Sequence, residues 1–217
     1  MKLLHIIASP RSDGSSTLPL SEALLDALGQ RFPGLEVETL DLFTADLPAM
    51  AGTNIDAKYN LLSGRPVDAA HAESWGQIEA EIERFRSADA YVITAPMWNF
   101  GVPYALKYYI DCIVQPGYLF RFTPQGYPEP LLHDKRMVVV TSSGSDYSEG
   151  SPMHALNFHE PYLRTIFGFV GITDVTFVNA FSVDVPQRRA AAIDDALAAA
   201  KSTAWDAGWE RFETVAA

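Results

Sequence analysis

From Ala8 the chain reads ASPRSDGSSTL, and the hydroxyls of Ser9, Ser15, Ser16 and Thr17 fall in a turn that leads straight into a helical pattern. A helix start carries unpaired N–H groups and the positive end of the helix dipole, so hydroxyls gathered there make a seat for an anion. No Gly-Lys-Ser/Thr follows, and Gly14 is the lone glycine of the turn, so neither the triphosphate loop nor the dinucleotide fingerprint is present. A single terminal phosphate is the anion that remains. The competing reading is that Ser15, Ser16 or Thr17 only caps the helix and Ser9-Pro10 only turns the chain. Arg11, in the same loop, is a candidate partner for a phosphate or a ring edge.

A second stretch, ITAPMWNFG from Ile93, leaves an apolar run for Pro96, Met97, Trp98, Asn99 and Phe100 before its first glycine, Gly101. Turns ordinarily carry small polar residues, because their backbone faces water. An apolar, aromatic and amide-bearing turn suits a flat heterocycle: the wall lies along the ring, Asn99 serves a polar edge, and close main chain offers N–H groups to ring nitrogens. The alternative is that Met97, Trp98 and Phe100 belong to the core. A third stretch, TSSGSDY from Thr141, offers hydroxyls and main-chain N–H groups at Ser142, Ser143, Gly144 and Ser145.

Five apolar runs rich in Val, Ile and Leu, beginning near Lys2, Glu36, Ala90, Arg136 and Asp174, alternate with helical patterns. Leu20, Leu24, Leu28 and Phe32 fall four apart; Trp75, Ile78, Ile82 and Phe85 share one face. Further helices are expected over Val102 to Val114, within Tyr162 to Val170, and from about Gln187, with Ile193, Leu197, Trp205 and Trp209 on one stripe. Repeated strand-helix alternation implies βαβ units and an open parallel sheet covered on both sides. The expectation is α/β, a flavodoxin-like three-layer sandwich with strand order 2-1-3-4-5, forming one domain over 1–217. In such a sheet ligands sit beyond the carboxyl ends of the strands, which brings the turns after Ala8, Ala95 and Thr141 together. Two long connections, Leu42 to His71 and the aromatic excursion from Pro116 with a possible hairpin at Gln125-Gly126, are expected to serve function or an interface.

Composition narrows the field. With 48% hydrophobic residues, 20% charged residues and a net charge of −11, the 217-residue chain suits a globular domain and lacks the basic footprint of a nucleic-acid binder. Cys112 is its single cysteine, and no Cys/His spacing suggests a metal site, so no metal is expected and a reducing, cytoplasmic compartment is the default. No apolar run approaches the roughly 18 residues of a membrane span, so no membrane partner is expected. His5 reads as a structural histidine within a strand, Cys112 as a buried small residue, and His154 or His159 as lesser candidates for donating a proton.

Taken together, PMWNFGVPYALKYYID, GYLFRFTPQG and EPYLRTIFGFVGI resemble the family of FMN-dependent NADH azoreductases and NAD(P)H quinone reductases. The resemblance covers nearly the whole chain, and the middle block is its most specific part. It implies a homodimer with an FMN site at each subunit interface, the phosphate on Ser9, Ser15, Ser16 and Thr17, and the ring along Met97, Trp98, Asn99 and Phe100. The 142–145 loop would lie at the ring's far end. It further implies two-electron reduction of quinones or azo compounds by NADH or NADPH in alternating half-reactions. Phe120, Phe122 and, from across the dimer, Phe167 are then candidates to sandwich the substrate. Two positions depart from the family pattern: Trp98 stands where a tyrosine is usual, and the loop has Gly144 alone where two glycines and a nearby histidine are usual. A flavodoxin-type electron carrier, a reductase that releases its flavin, and a flavin-free module are the alternatives.

Overall fold

The structure, a computed structural model, describes residues 1–11 and 14–213; Ser12 and Asp13 of the first loop lie outside them. Five parallel strands form the central sheet: β1 (Lys2–Ile7), β2 (Glu36–Asp41), β3 (Ala90–Thr94), β6 (Arg136–Ser142) and β7 (Asp174–Ala180), in the order β2-β1-β3-β6-β7. Between β3 and β6 the chain makes a two-stranded antiparallel hairpin, β4 (Phe120–Phe122) and β5 (Pro128–Pro130), with Gly126 at φ 83° in its turn. Counting only the sheet strands, the expected 2-1-3-4-5 order is present.

Side-chain alternation sorts the two cores. Leu4 and Ile6 of β1, Tyr91 and Ile93 of β3, and Met137 and Val139 of β6 face a layer that includes α3 (Ala72–Ser87), α4 (Tyr104–Ile113) and α5 (His159–Phe169). Leu3, Val92, Val138 and Val140 face the other way, onto α1 (Leu18–Arg31) and α6 (Pro186–Thr203). A shorter helix, α2 (Thr53–Leu62), occupies part of the long connection after β2. The middle strands β3 and β6 are buried at every residue, as doubly covered parallel strands must be. β2 differs from the sequence reading: it is an edge strand in which Leu40 alone is buried. The stripe expected along the last helix is also interrupted, because α6 ends at Thr203 and Trp209 reaches the core from a following 3-10 turn, Ala207–Phe212.

His5 is buried in β1, where its Nε2 lies 2.8 Å from Thr94 Oγ1 on β3, and burial lowers its pKa to about 4. Cys112 donates its S–H to the Pro48 carbonyl at 3.3 Å, and burial pushes its pKa up to about 12, which leaves the thiol protonated and unreactive.

Candidate functional site

The carboxyl ends of β1, β3 and β6 are tied to one another by main-chain hydrogen bonds. Ala8 N–H donates to the Thr94 carbonyl at 2.8 Å, Ala95 N–H to Val140 at 3.0 Å, and Met97 N–H to Ser142 at 2.9 Å. These bonds set three loops side by side around an open cleft of about 120 Å3. Ser9, Arg11, Ser15, Ser16 and Thr17 form one side of it; Pro96, Met97 and Trp98 form the apolar side; Ser142, Ser143 and Gly144 form the third. Asn99, Phe100 and Ser145 of the expected set stand outside that lining.

Much of the hydroxyl loop is engaged internally. Ser15 Oγ accepts hydrogen bonds from Thr17 N–H at 3.2 Å and Leu18 N–H at 3.1 Å, and lies 3.0 Å from Ser9 Oγ. The capping role weighed from the sequence is therefore real for Ser15, and it leaves the loop shaped around the start of α1. Thr17 is buried, with Oγ1 3.0 Å from Ser142 Oγ, so the two hydroxyls bridge the first and third loops at the floor of the cleft. Main-chain N–H groups complete the donor set: those of Ser16, Gly144 and Ser145 meet no protein acceptor among the described residues.

The apolar loop is a two-residue hairpin turn. Trp98 N–H donates to Gly101 O and Gly101 N–H to Trp98 O, both at 2.9 Å, while Asn99 and Phe100 sit at φ 47° and 69°. Successive left-handed residues define a type I′ turn, which favours Asn at its first position and strains Phe at its second. The strain is held by neighbours: Phe158 N–H donates to the Phe100 carbonyl at 3.0 Å, and the Phe100 ring meets Tyr147 edge-on. Trp98 is 39% and Phe100 41% exposed, so neither is a core residue. The same surface carries Phe158 at 58%.

Three members of the cleft were not in the expected set, and Pro10, read from the sequence only as a turn residue, is one of them. Val183 and Asp184, from the loop after β7, line it as well, and the Asp184 carboxylate lies on Gly144, where an added Cβ would stand 2.4 Å from Oδ2. The rule that every strand of a parallel sheet opens its following loop onto one edge applies to β7 as it does to β1 and β3, and was the available signal. Beneath Met97 a smaller hollow is lined by Thr141, Asn157, His159 and Asn179. His159 is 1% exposed and burial lowers its pKa to about 4, so it is a neutral interior group, not a proton donor to the cleft. Its Nε2 and Thr141 Oγ1 have no protein partner among the described residues. His154 is exposed, with Nδ1 3.1 Å from the Tyr147 carbonyl.

The aromatic candidates for substrate contact divide. Phe167 is corrected: at 1% exposure its ring stacks in the core 6.0 Å from Phe85, with no face free for a ligand. Phe120 is corrected too, being 7% exposed and packed 4.7 Å from Phe169 as the buried anchor of the β4–β5 hairpin. Phe122, 50% exposed on that hairpin, is the one of the three with an open face. It does not line the cleft of its own chain.

A family profile described as a flavodoxin-like fold matches residues 1–204. An FMN-dependent NADH:quinone oxidoreductase of Ruegeria pomeroyi is 43% identical over 202 residues, covering 91% of this chain and 97% of that protein. A protein of the same description from Nitratidesulfovibrio vulgaris is 38% identical over 176 residues, covering 81% and 84%. Among solved structures, an azoreductase of Bacillus anthracis superposes with a TM-score of 0.84 at 27% identity, over 94% of this chain and 98% of that one. An FMN-dependent NADH-azoreductase of the same species, solved in complex with FMN, gives 0.83 at 25% identity, over 94% and 97%.

Proposed function

The chain belongs to the family with the flavodoxin-like fold, and from that premise we propose that it is an FMN-dependent NADH:quinone oxidoreductase that also reduces azo compounds. The observation that carries this reading is the cleft itself: a hydroxyl-lined helix start faces an apolar, aromatic hairpin turn across one parallel-sheet edge. The two halves match the two halves of FMN. Ser9, Ser15 and Ser16 with the α1 start suit its phosphate, and Met97 and Trp98 suit the flat face of its ring. The N–H group of Gly144, which meets no protein acceptor among the described residues, suits a ring edge that becomes electron-rich. FMN, when bound, supplies a two-electron carrier that accepts hydride from NADH or NADPH and passes reducing equivalents to a quinone or azo acceptor.

The protein's own part is positioning. The paired hydrogen bonds across Trp98 and Gly101 fix the main chain of the turn, which sets where Met97 and Trp98 meet the cleft and confines a stacked partner to the open side. Among the described residues no side chain of the cleft is placed as an obligatory acid or base, and solvent serves as the proton source. Trp98, Phe100 and Phe158 form an exposed apolar surface beside the cleft, continued along α4 by Tyr104 at 69% exposure. A second copy of the chain seated there would form the homodimer, and the exposed Phe122 of that copy is the aromatic group available to cover the acceptor. A buried, unpaired Cys112 is compatible with the cytoplasm, and no helix among the described residues is long and apolar enough to cross a membrane.

The test is direct. The purified protein should be yellow and dimeric by sedimentation; under anaerobic conditions NADH should bleach it and a quinone should restore the colour, with no partner protein present. Added FMN at a hundred times its dissociation constant should stabilise the apoprotein by about 2.7 kcal/mol. A protein that FMN neither colours nor stabilises overturns the reading, and a monomer at micromolar concentration removes the shared site.

A further inference from the structure

The phosphate seat looks, from its own loop, like a site built of hydroxyls and main chain. The structure brings a guanidinium to it from the far end of the chain. Arg189 stands in the first turn of α6; its Nη1 donates to the Val183 carbonyl at 2.8 Å, and its Nη2 donates to Ser16 Oγ at 3.1 Å. One side of the fork is thus moored to the loop after β7, and the other is presented to the cleft wall.

The consequence lies in the hydroxyl inventory. A serine hydroxyl has one proton, so an oxygen that accepts from Arg189 must aim its own O–H elsewhere. Ser15 is occupied by two main-chain N–H groups and by Ser9, and Thr17 by Ser142. The Ser9–Ser15 and Thr17–Ser142 pairs each share one bond and so leave one proton over; Ser16 differs in that its proton also has no protein acceptor among the described residues while its oxygen accepts from a cation, which strengthens it as a donor to an anion. Arg11 adds to the same polarity, since its guanidinium lies over Gly14, with Nη2 2.9 Å from the place a Cβ would take there. Arg11 and Arg189 have no carboxylate within ion-pair distance among the described residues, whereas Arg188 next in sequence pairs with Asp146. In a chain of net charge −11, these two cations meet at one loop. Among the described lining residues Asp184 is the one carboxylate, and it sits across the cleft on Gly144.

We propose that Arg189 is a positioning residue that, through Ser16, makes the site selective for a flavin carrying a phosphate monoester over one that lacks it. The inference rests on the FMN reading above. It assigns to α6, a helix with no part in the ring pocket, the discrimination between FMN and riboflavin.

The experiment titrates flavin-free protein with FMN and with riboflavin, following flavin fluorescence, for the wild type, Arg189→Gln, Arg189→Lys and Ser16→Ala. Arg189→Gln should weaken FMN by about tenfold, the scale of a charge-assisted hydrogen bond softened by exposure, and leave riboflavin unchanged. Arg189→Lys should fall between, because ammonium keeps the charge and loses the fork. Once Ser16 is alanine, adding Arg189→Gln should cost much less than it does alone, the signature of two groups acting as a unit. A wild-type FMN-to-riboflavin ratio in Arg189→Gln overturns the proposal while leaving the cofactor reading intact. Wild-type protein that binds neither flavin overturns both. If Arg189→Gln fails to fold, an unchanged ratio in Ser16→Ala is sufficient to reject the proposal.

Discussion

Asn99 and Phe100 concentrate the tension between sequence and site. A type I′ turn wants Asn-Gly, and this chain supplies Asn-Phe, accepting a left-handed aromatic residue so that an exposed ring stands beside the cleft. The residue types pointed to a ligand-facing turn, but the left-handed geometry was not legible in them, since Phe100 argues against positive φ on local grounds. Asn99 tests the backbone without touching the ring wall, because it is exposed and makes no side-chain hydrogen bond among the described residues. Asn99→Gly should change stability by no more than about 0.5 kcal/mol, whereas Asn99→Val, β-branched at φ 47°, should cost about 1–2 kcal/mol in urea unfolding. Equal midpoints for the two variants would show that the turn relaxes out of the left-handed region at no cost. The absence of Val183 and Asp184 from the sequence-derived site, and of Arg189, which touches Ser16 from behind it, has a different origin. Nothing in SVDVPQRR marks a ligand contact, and only the sheet topology brings that loop to the cleft.

At the scale of elements, strands with two buried faces were the most legible, because nothing but apolar residues can occupy both sides of β3 and β6. The edges were less so. β2 reads as an apolar run, yet alternation in EVETLD gives it one weakly buried face. The end of the chain was misjudged for a tertiary reason: Trp209 continues a helical spacing from α6, but the helix stops and a 3-10 turn delivers the indole onto a buried arginine. Arg136, 3% exposed, donates to Asp174 at 3.0 Å and to Asp206 at 2.6 Å, and its guanidinium carbon lies 4.9 Å from the centroid of the Trp209 ring. Gly208 permits that closure, since a Cβ there would stand 1.5 Å from Nη1 of Arg136. The arginine is held on both sides and cannot swing away. Gly208→Ala should therefore destabilise the fold by about 1–3 kcal/mol, the usual cost of overpacking, while leaving FMN affinity unchanged, because Arg136 begins β6 at the end of the sheet opposite the cleft. A loss of FMN affinity without loss of stability would contradict this separation of the two ends.

For the whole molecule, the two buried histidines make stability depend on pH in a direction set by their burial. His5 and His159 each have a folded-state pKa near 4 against an ordinary 6.5, lowered by desolvation. Between those values the unfolded chain binds protons that the folded one refuses, so stability is full above pH 6.5, falls as the pH drops through the window, and levels off below about 4. From pH 7 to pH 5 the loss amounts to about 2 kcal/mol per histidine. An opposing effect comes from the net charge of −11: protonating carboxylates relieves self-repulsion and favours the compact state. A free carboxylate ordinarily gains its proton only near pH 4, below most of the interval between pH 7 and 5 in which the histidines act. His5→Gln can keep an amide opposite Thr94 Oγ1 while removing the titrating ring. It should roughly halve the slope of unfolding free energy between pH 7 and 5, measured in urea on flavin-free protein so that cofactor linkage does not contribute. A wild-type protein with the same urea midpoint at pH 7 and pH 5 would mean that both rings reach water before the fold gives way.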